Sequence, residues 1–196
     1  SPQWHPTFVG CSQWIAEQAR RALPSERVEH INNCIPSALF HPADMQQARQ
    51  SLSLPQDKRL LLFCSQKVND ERKGISYLLE ALQLIEKENL HLVIVGKNAE
   101  QIPLPDGISV TRFGSVGEHL MPQIYNAVDA FLTPSLQDNL PNTIAEAMSC
   151  GTPCVGFNVG GIPEMIDHLG NGYVAHYRDA ADLAAGIRFV LSHNLR

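Results

Sequence analysis

A chain of 196 residues, 44% of them hydrophobic, is long enough for one buried core and short for two. With 15 Lys and Arg against 20 Asp and Glu, its formal charge of −5 excludes the polyanion-coating surface of a general nucleic-acid binder, so an anionic ligand must be met by a few placed cations. Five cysteines, an odd number without a C-x-x-C pair, point to reduced, buried thiols in a cytosolic protein, and the eight scattered histidines form no metal-binding motif.

The N-terminal run S-P-Q-W-H-P-T-F lacks the charged and apolar regions of a signal peptide. No segment approaches the ~20 consecutive apolar residues that span a bilayer. A cytoplasmic chain is expected, with peripheral attachment to the inner face of the membrane left open. A helix is predicted over Gln13–Leu23 and a weak strand over Val28–Ile31. The segment Asn32–Pro42 follows as a crossing loop that keeps Ile35, Leu39 and Phe40 apolar, and a helix over Met45–Leu52 leads to a strand at Leu60–Cys64. Next, Ile75, Leu78, Leu79, Leu82 and Ile85 share one helical face, as a helix covering a sheet requires. A strand at His91–Val95, a weak strand at Val110–Phe113, a helix through Leu120, Ile124 and Val128, and a strand at Ala130–Thr133 continue the alternation. The series closes with a helix at Thr143–Cys150, a strand at Pro153–Phe157, a helix at Ile162–His168, a weak strand at Tyr173–Ala175 and a helix at Ala180–Leu191. Alternating short β-branched runs and helical segments predict an α/β fold with an open, doubly wound parallel sheet of Rossmann-like type. Such sheets bind ligands at the carboxyl ends of their strands, which here are the loops Ser65–Gly74, Gly96–Asn98, Pro134–Asn142 and Asn158–Gly161. There is no internal repeat and no low-complexity tract.

The run from Pro134 to Glu164 carries most of the functional information. Asp138 and Glu146 flank a turn that opens a helix, so one acid in a loop and one inside the helix can hold two parts of a polyhydroxyl ligand while the helix N-terminus faces its phosphates. That combination points to a nucleotide sugar. Glu146 lies among small apolar residues in T-I-A-E-A-M; the alternative is an ordinary surface acid near the positive end of its helix. For Asp138 the alternative is turn chemistry in a Pro-containing loop. Lys67, Arg72 and Lys73 are the cations of the loop after the Leu60–Cys64 strand; read alone, Lys73 is a solvated charge in N-D-E-R-K, and Arg72 can exchange roles with Lys67. Gly160 and Gly161 let backbone approach a ligand or make a tight turn, and Glu164 either contacts the nucleotide or caps Ile162–His168. Neither G-x-G-x-x-G nor a P-loop is present.

These residues resemble the C-terminal, donor-binding half of retaining glycosyltransferases of the two-Rossmann GT-B type, in the large family numbered four (glycosyl transferases group 1). Its signature P-S-x-x-E-x7-E-A-M-A-x-G-x-P-V-V, followed by G-G-x-x-E, is met by Pro134-Ser135, Asp138, Glu146, Ala147-Met148, Gly151, Pro153 and Gly160-Gly161-x-x-Glu164. The earlier runs S-Q-W-I-A, I-N-N-x-I-x-x-x-x-F-x-P and R-K-G look like further landmarks, so the likeness covers nearly the whole chain. The chain departs from the pattern at Asp138, where Glu is usual, at Asn139-Leu140-Pro141, where Gly-Phe-Gly is usual, and at Gln66-Lys67, where Gly-Arg is usual. Those departures bear on the sugar and on the phosphate grip.

The resemblance implies hexosyl transfer from a UDP-, GDP- or ADP-sugar to a glycan or lipid-linked acceptor in polysaccharide biosynthesis, with retention and without metal or separate cofactor. It implies Lys67 and Lys73 on the β-phosphate, Asp138 on a sugar hydroxyl, Glu146 on the ribose, and backbone donors from the segment Asn139, Leu140, Pro141 and Asn142. Residues 1–30 would be the end of, or connection from, an absent N-terminal acceptor domain, packed on a donor-binding domain of residues 31–196. Such a fragment should bind donor weakly without turnover. A nucleotide-sugar epimerase of the same fold and a non-catalytic nucleotide-sugar sensor remain the alternatives.

Overall fold

The structure, a computed structural model, describes residues 5–193 and residue 195; the first four residues of the N-terminal run lie outside them. Its centre is a six-stranded parallel sheet, because long apolar runs bury best when helices cover both faces. The strands are β3 (Arg59–Lys67), β4 (Leu90–Lys97), β5 (Ser109–Phe113), β6 (Ala130–Thr133), β7 (Cys154–Phe157) and β8 (Gly172–Ala175), in the order β5-β4-β3-β6-β7-β8. The helices that pack on them are α2 (Met45–Ser51), α3 (Ile75–Gln83), α4 (Met121–Ala127), α5 (Asn142–Ser149), α6 (Ile162–Met165) and α7 (Ala180–Ser192).

Side chains alternate across β3 and so feed two cores. Leu61 and Phe63 join Leu78 and Leu82 of α3 and Leu183 and Ile187 of α7 on one face. Leu60 and Leu62 join Ile124 and Tyr125 of α4 and Ile144 and Ala147 of α5 on the other. The sheet is doubly wound. Strand order runs outward from β3 in one direction and from β6 in the other, so the crevice between these two strands is the topological switch point.

At the opposite end of the sheet the buried Arg49 of α2 donates to Ala127 O at 2.7 Å and pairs with Asp129 at 2.7 Å, and Asp129 also accepts from Leu60 N–H. Stripping a partner from such a buried pair costs about 3–5 kcal/mol, which fixes α2 and the start of β3 as a rigid base.

A separate two-stranded parallel sheet pairs β1 (Thr7–Gly10) with β2 (Arg27–His30) around α1 (Gln13–Ala22). The strand β1 was not expected: Thr7, Phe8 and Val9 form too short and too exposed a run to read as a strand. The predicted helix Ile162–His168 stops at Met165. Asp167 takes over, its N–H donating to Asn171 Oδ1 and its carbonyl accepting from Gly170 and Asn171, a side-chain turn that competes with helix continuation. No helix among the described residues is long and apolar enough to cross a membrane.

Candidate functional site

The loops that leave the carboxyl ends of β3, β6 and β7 meet through their main chains. Leu136 N–H donates to Arg72 O at 2.7 Å, tying the β6 loop to the β3 loop. Gly74, at φ +69°, lies so close that a Cβ there would overlap the Pro134 carbonyl. Gly160 and Gly161 press in the same way on the carbonyls of Asp138 and Asn139. The space left by their missing side chains is therefore filled by the protein's own backbone, as the tight-turn alternative requires.

In the β3 loop, Asp70 accepts from Arg72 N–H and pairs with its guanidinium at 2.7 Å, and this partner holds the Asp70 carboxyl down to about 2. Arg72 is thus turned onto its own loop. Lys67 ends β3 as an exposed side chain beside Lys97 of β4, without an ion pair among the described residues. Lys73 is placed differently from a solvated charge: its Nζ lies 2.8 Å from Asp138 Oδ2. The cation expected on phosphate and the acid expected on sugar are a single partly buried pair, 34% and 15% exposed at the side chain.

Glu146 sits half-buried in the second turn of α5 and accepts a 2.9 Å hydrogen bond on Oε2 from the Tyr125 hydroxyl of α4. Burial pushes its carboxyl up from the ordinary range, the Tyr125 hydroxyl opposes this, and the nearby Glu118 adds to it. The reading of Glu146 as a plain surface acid falls. Cys64 on β3 lies 3.9 Å from the Tyr125 oxygen, and its thiol, pushed up to about 12 by burial, feels both the Glu146 carboxylate and the Lys73 ammonium. Those two charges therefore flank one end of β3.

At the start of α5, Pro141 occupies the cap position with no side-chain acceptor; its carbonyl takes the Ile144 N–H at 3.0 Å, and the Asn142 and Thr143 amides before it have no side-chain cap. Pro141 itself has no N–H, which corrects its inclusion among the backbone donors; Asn139, Leu140 and Asn142 keep that capacity. The side chain of Asn142 accepts from Asn33 Nδ2 at 2.8 Å. Glu164 neither caps its own short helix nor stands free: its two oxygens accept from Gln13 and Trp14 N–H, each at 2.7 Å, capping α1. Among the described residues no three His, Cys, Asp or Glu side chains cluster to hold a metal ion. Tyr125 was missed in the sequence because it lies on the apolar face of its helix, although a buried tyrosine hydroxyl usually has a partner.

A family model described as "Glycosyl transferases group 1" matches residues 58–193. Among solved structures, the chain is similar to a sucrose-phosphate synthase from Thermosynechococcus elongatus, at TM-score 0.84 and 25% identity over 96% of this chain and 49% of that one. It is similar to Anabaena HepE in complex with UDP-glucose, at TM-score 0.73 and 22% identity over 93% of this chain and 53% of that one. It also matches the isolated C-terminal domain of a glycosyl transferase group 1 family protein, LpcC, from Francisella tularensis, at TM-score 0.66 and 20% identity over 82% of this chain and 89% of that one. The first curated relatives are 31%, 25% and 30% identical, and the chain spans only 38%, 46% and 38% of their lengths.

Proposed function

Because the chain belongs to the glycosyl transferases group 1 family, we propose that it is the nucleotide-sugar-binding part of a retaining, metal-independent glycosyltransferase that moves a hexosyl group to a glycan or lipid-linked acceptor. The observation that carries this reading is the convergence of Lys73, Asp138, Glu146 and the uncapped start of α5 at the switch point between β3 and β6. A nucleotide diphosphate sugar carries a partner for each: hydroxyls for the carboxylates and phosphates for the ammonium and the amides. Cleavage of the anomeric C–O bond leaves negative charge on the β-phosphate, where Lys73, with Lys67 at the rim, and the α5 amides stabilise it. Asp138, steered by Lys73, accepts from a sugar hydroxyl, and Glu146 accepts from the ribose hydroxyls.

Residues 1–30, whose helix α1 donates its Gln13 and Trp14 N–H groups to the Glu164 carboxylate, are then the end of, or the connection from, the acceptor-binding domain, and residues 31–196 the donor domain. The whole enzyme is then expected in the cytoplasm, and at the inner face of the membrane if its acceptor is lipid-linked. Calorimetric titration with UDP-, GDP- and ADP-glucose, repeated on Glu146→Ala and Lys73→Ala, tests the assignment. Weakened binding by both variants supports it; no binding to any donor, or unaltered binding by both variants, refutes it. Donor conversion by the full-length protein without an acceptor would replace the transferase reading with an epimerase, and binding without transfer or hydrolysis with a sensor.

A further inference from the structure

Tyr125 is buried completely, yet its hydroxyl reaches the one carboxylate of α5 that faces the switch point. The ring is held by Phe40 and Phe131, with centroids 6.2 and 5.8 Å away, and its carbonyl accepts from Thr152 at 2.6 Å, so the hydroxyl has a fixed position. A phenol has one proton to give, and burial keeps this one protonated. That proton goes to Glu146 Oε2. The Cys64 sulfur behind it, kept as a thiol by burial, is then the donor to the tyrosine oxygen. The result is a one-way sequence of neutral donors, Cys64 to Tyr125 to Glu146, reaching from β3 across α4 to α5.

We propose that Tyr125 is a positioning residue for nucleotide-sugar binding, engaging Oε2 of Glu146 so that the carboxylate presents Oε1 to the ligand's ribose. This rests on the ribose role given to Glu146 above. Among the described residues no other side chain bonds the carboxylate. The groups that face it are Tyr125 from α4, Cys64 from β3 through that tyrosine, and Glu118 from the loop before α4. Burial and Glu118 favour its protonated form, and Tyr125 is the group that opposes them, so it both aims the carboxylate and favours its ionised form.

The test uses Tyr125→Phe, which keeps the ring packing and deletes only the hydroxyl. Binding of UDP-, GDP- and ADP-glucose is titrated between about pH 5 and pH 8 on the chain, on Tyr125→Phe, on Glu146→Gln and on the double variant. Tyr125→Phe should weaken the bound donor roughly tenfold near neutral pH. Its affinity should also start to fall at a higher pH than in the parent as the medium is acidified. In the Glu146→Gln background the tyrosine change should add nothing, the signature of action through Glu146. Parent-like affinity and pH profile in Tyr125→Phe, with Glu146→Gln impaired, overturns the positioning role alone. Unimpaired Glu146→Gln, or no binding of any donor, overturns the ribose reading and this inference with it. If Tyr125→Phe is recovered unfolded, Cys64→Ala replaces it, with a smaller shift in the same direction expected and an unmoved pH profile overturning the donor sequence.

Discussion

Replacing Lys73 by methionine should separate the stability of the site from its function. The ammonium lies 2.8 Å from Asp138, in a pair 34% and 15% exposed at its two side chains. Fully exposed pairs contribute roughly 0.2–1 kcal/mol, and stripping a partner from a buried charge costs about 3–5 kcal/mol. Solvent reaching Lys73 places this pair between those limits, at about 1–2 kcal/mol for Lys73→Met, because the better-buried Asp138 is left without its cation. For a chain of this length that corresponds to a fall in Tm of roughly 2–8 °C. Adding Asp138→Asn removes the stranded charge, so the double variant should regain most of the loss. Donor affinity should behave otherwise. A charge-assisted bond to phosphate is worth about 1.5–3 kcal/mol, so Lys73→Met should weaken donor binding about 10- to 150-fold, and the double variant should stay weak. Thermal unfolding followed by circular dichroism, with calorimetric titration on the same samples, reads both quantities. A single variant as stable as the parent, or a double variant that binds donor normally, would refute the reasoning.

Glu146→Gln should bind donor about ten- to a hundredfold more weakly and yet be more stable near neutral pH. The folded state holds the Glu146 carboxyl above its ordinary 4.5. Its contribution is therefore intact below that value and declines as pH rises through the raised one, so the gain in Tm should vanish on acidification below 4.5. Glu164→Ala removes the acceptor of the Gln13 and Trp14 amides, leaving the Ser12 cap on Ile15 N–H, and should speed hydrogen exchange at those two amides about two- to thirtyfold; a tenfold loss of donor affinity instead would return Glu164 to the nucleotide. Gly74→Ala places a side chain at φ +69° against the Pro134 carbonyl. It should lower stability by at least about 1–2 kcal/mol in urea titration, and an unchanged midpoint would show that the two loops part easily.

The central strands were legible because both faces of β3, β4, β6 and β7 are covered, which leaves continuous apolar runs that no solvent-facing segment shows. The strand β1 was not, since Phe8 is 39% and Val9 58% exposed and their pairing is decided by β2, twenty residues on. In the site, Asp138, Glu146 and Lys73 could be chosen from spacing and residue type. The bond between Lys73 and Asp138 could not, because it depends on β3 and β6 being neighbours, a property of strand order rather than of local sequence. Glu164 shows the same limit in reverse. Its local options were its own helix or a ligand, and the backbone it caps lies some 150 residues earlier.

The loops around the switch point are joined by main-chain atoms, through Leu136 to Arg72 and through the glycines packed on Pro134, Asp138 and Asn139. A frame built from peptide groups is indifferent to which side chains it displays. Asn139 and Leu140 can be exchanged without loosening the joints between loops, so on the proposed donor-binding reading the choice of sugar can drift, or be engineered, independently of the scaffold.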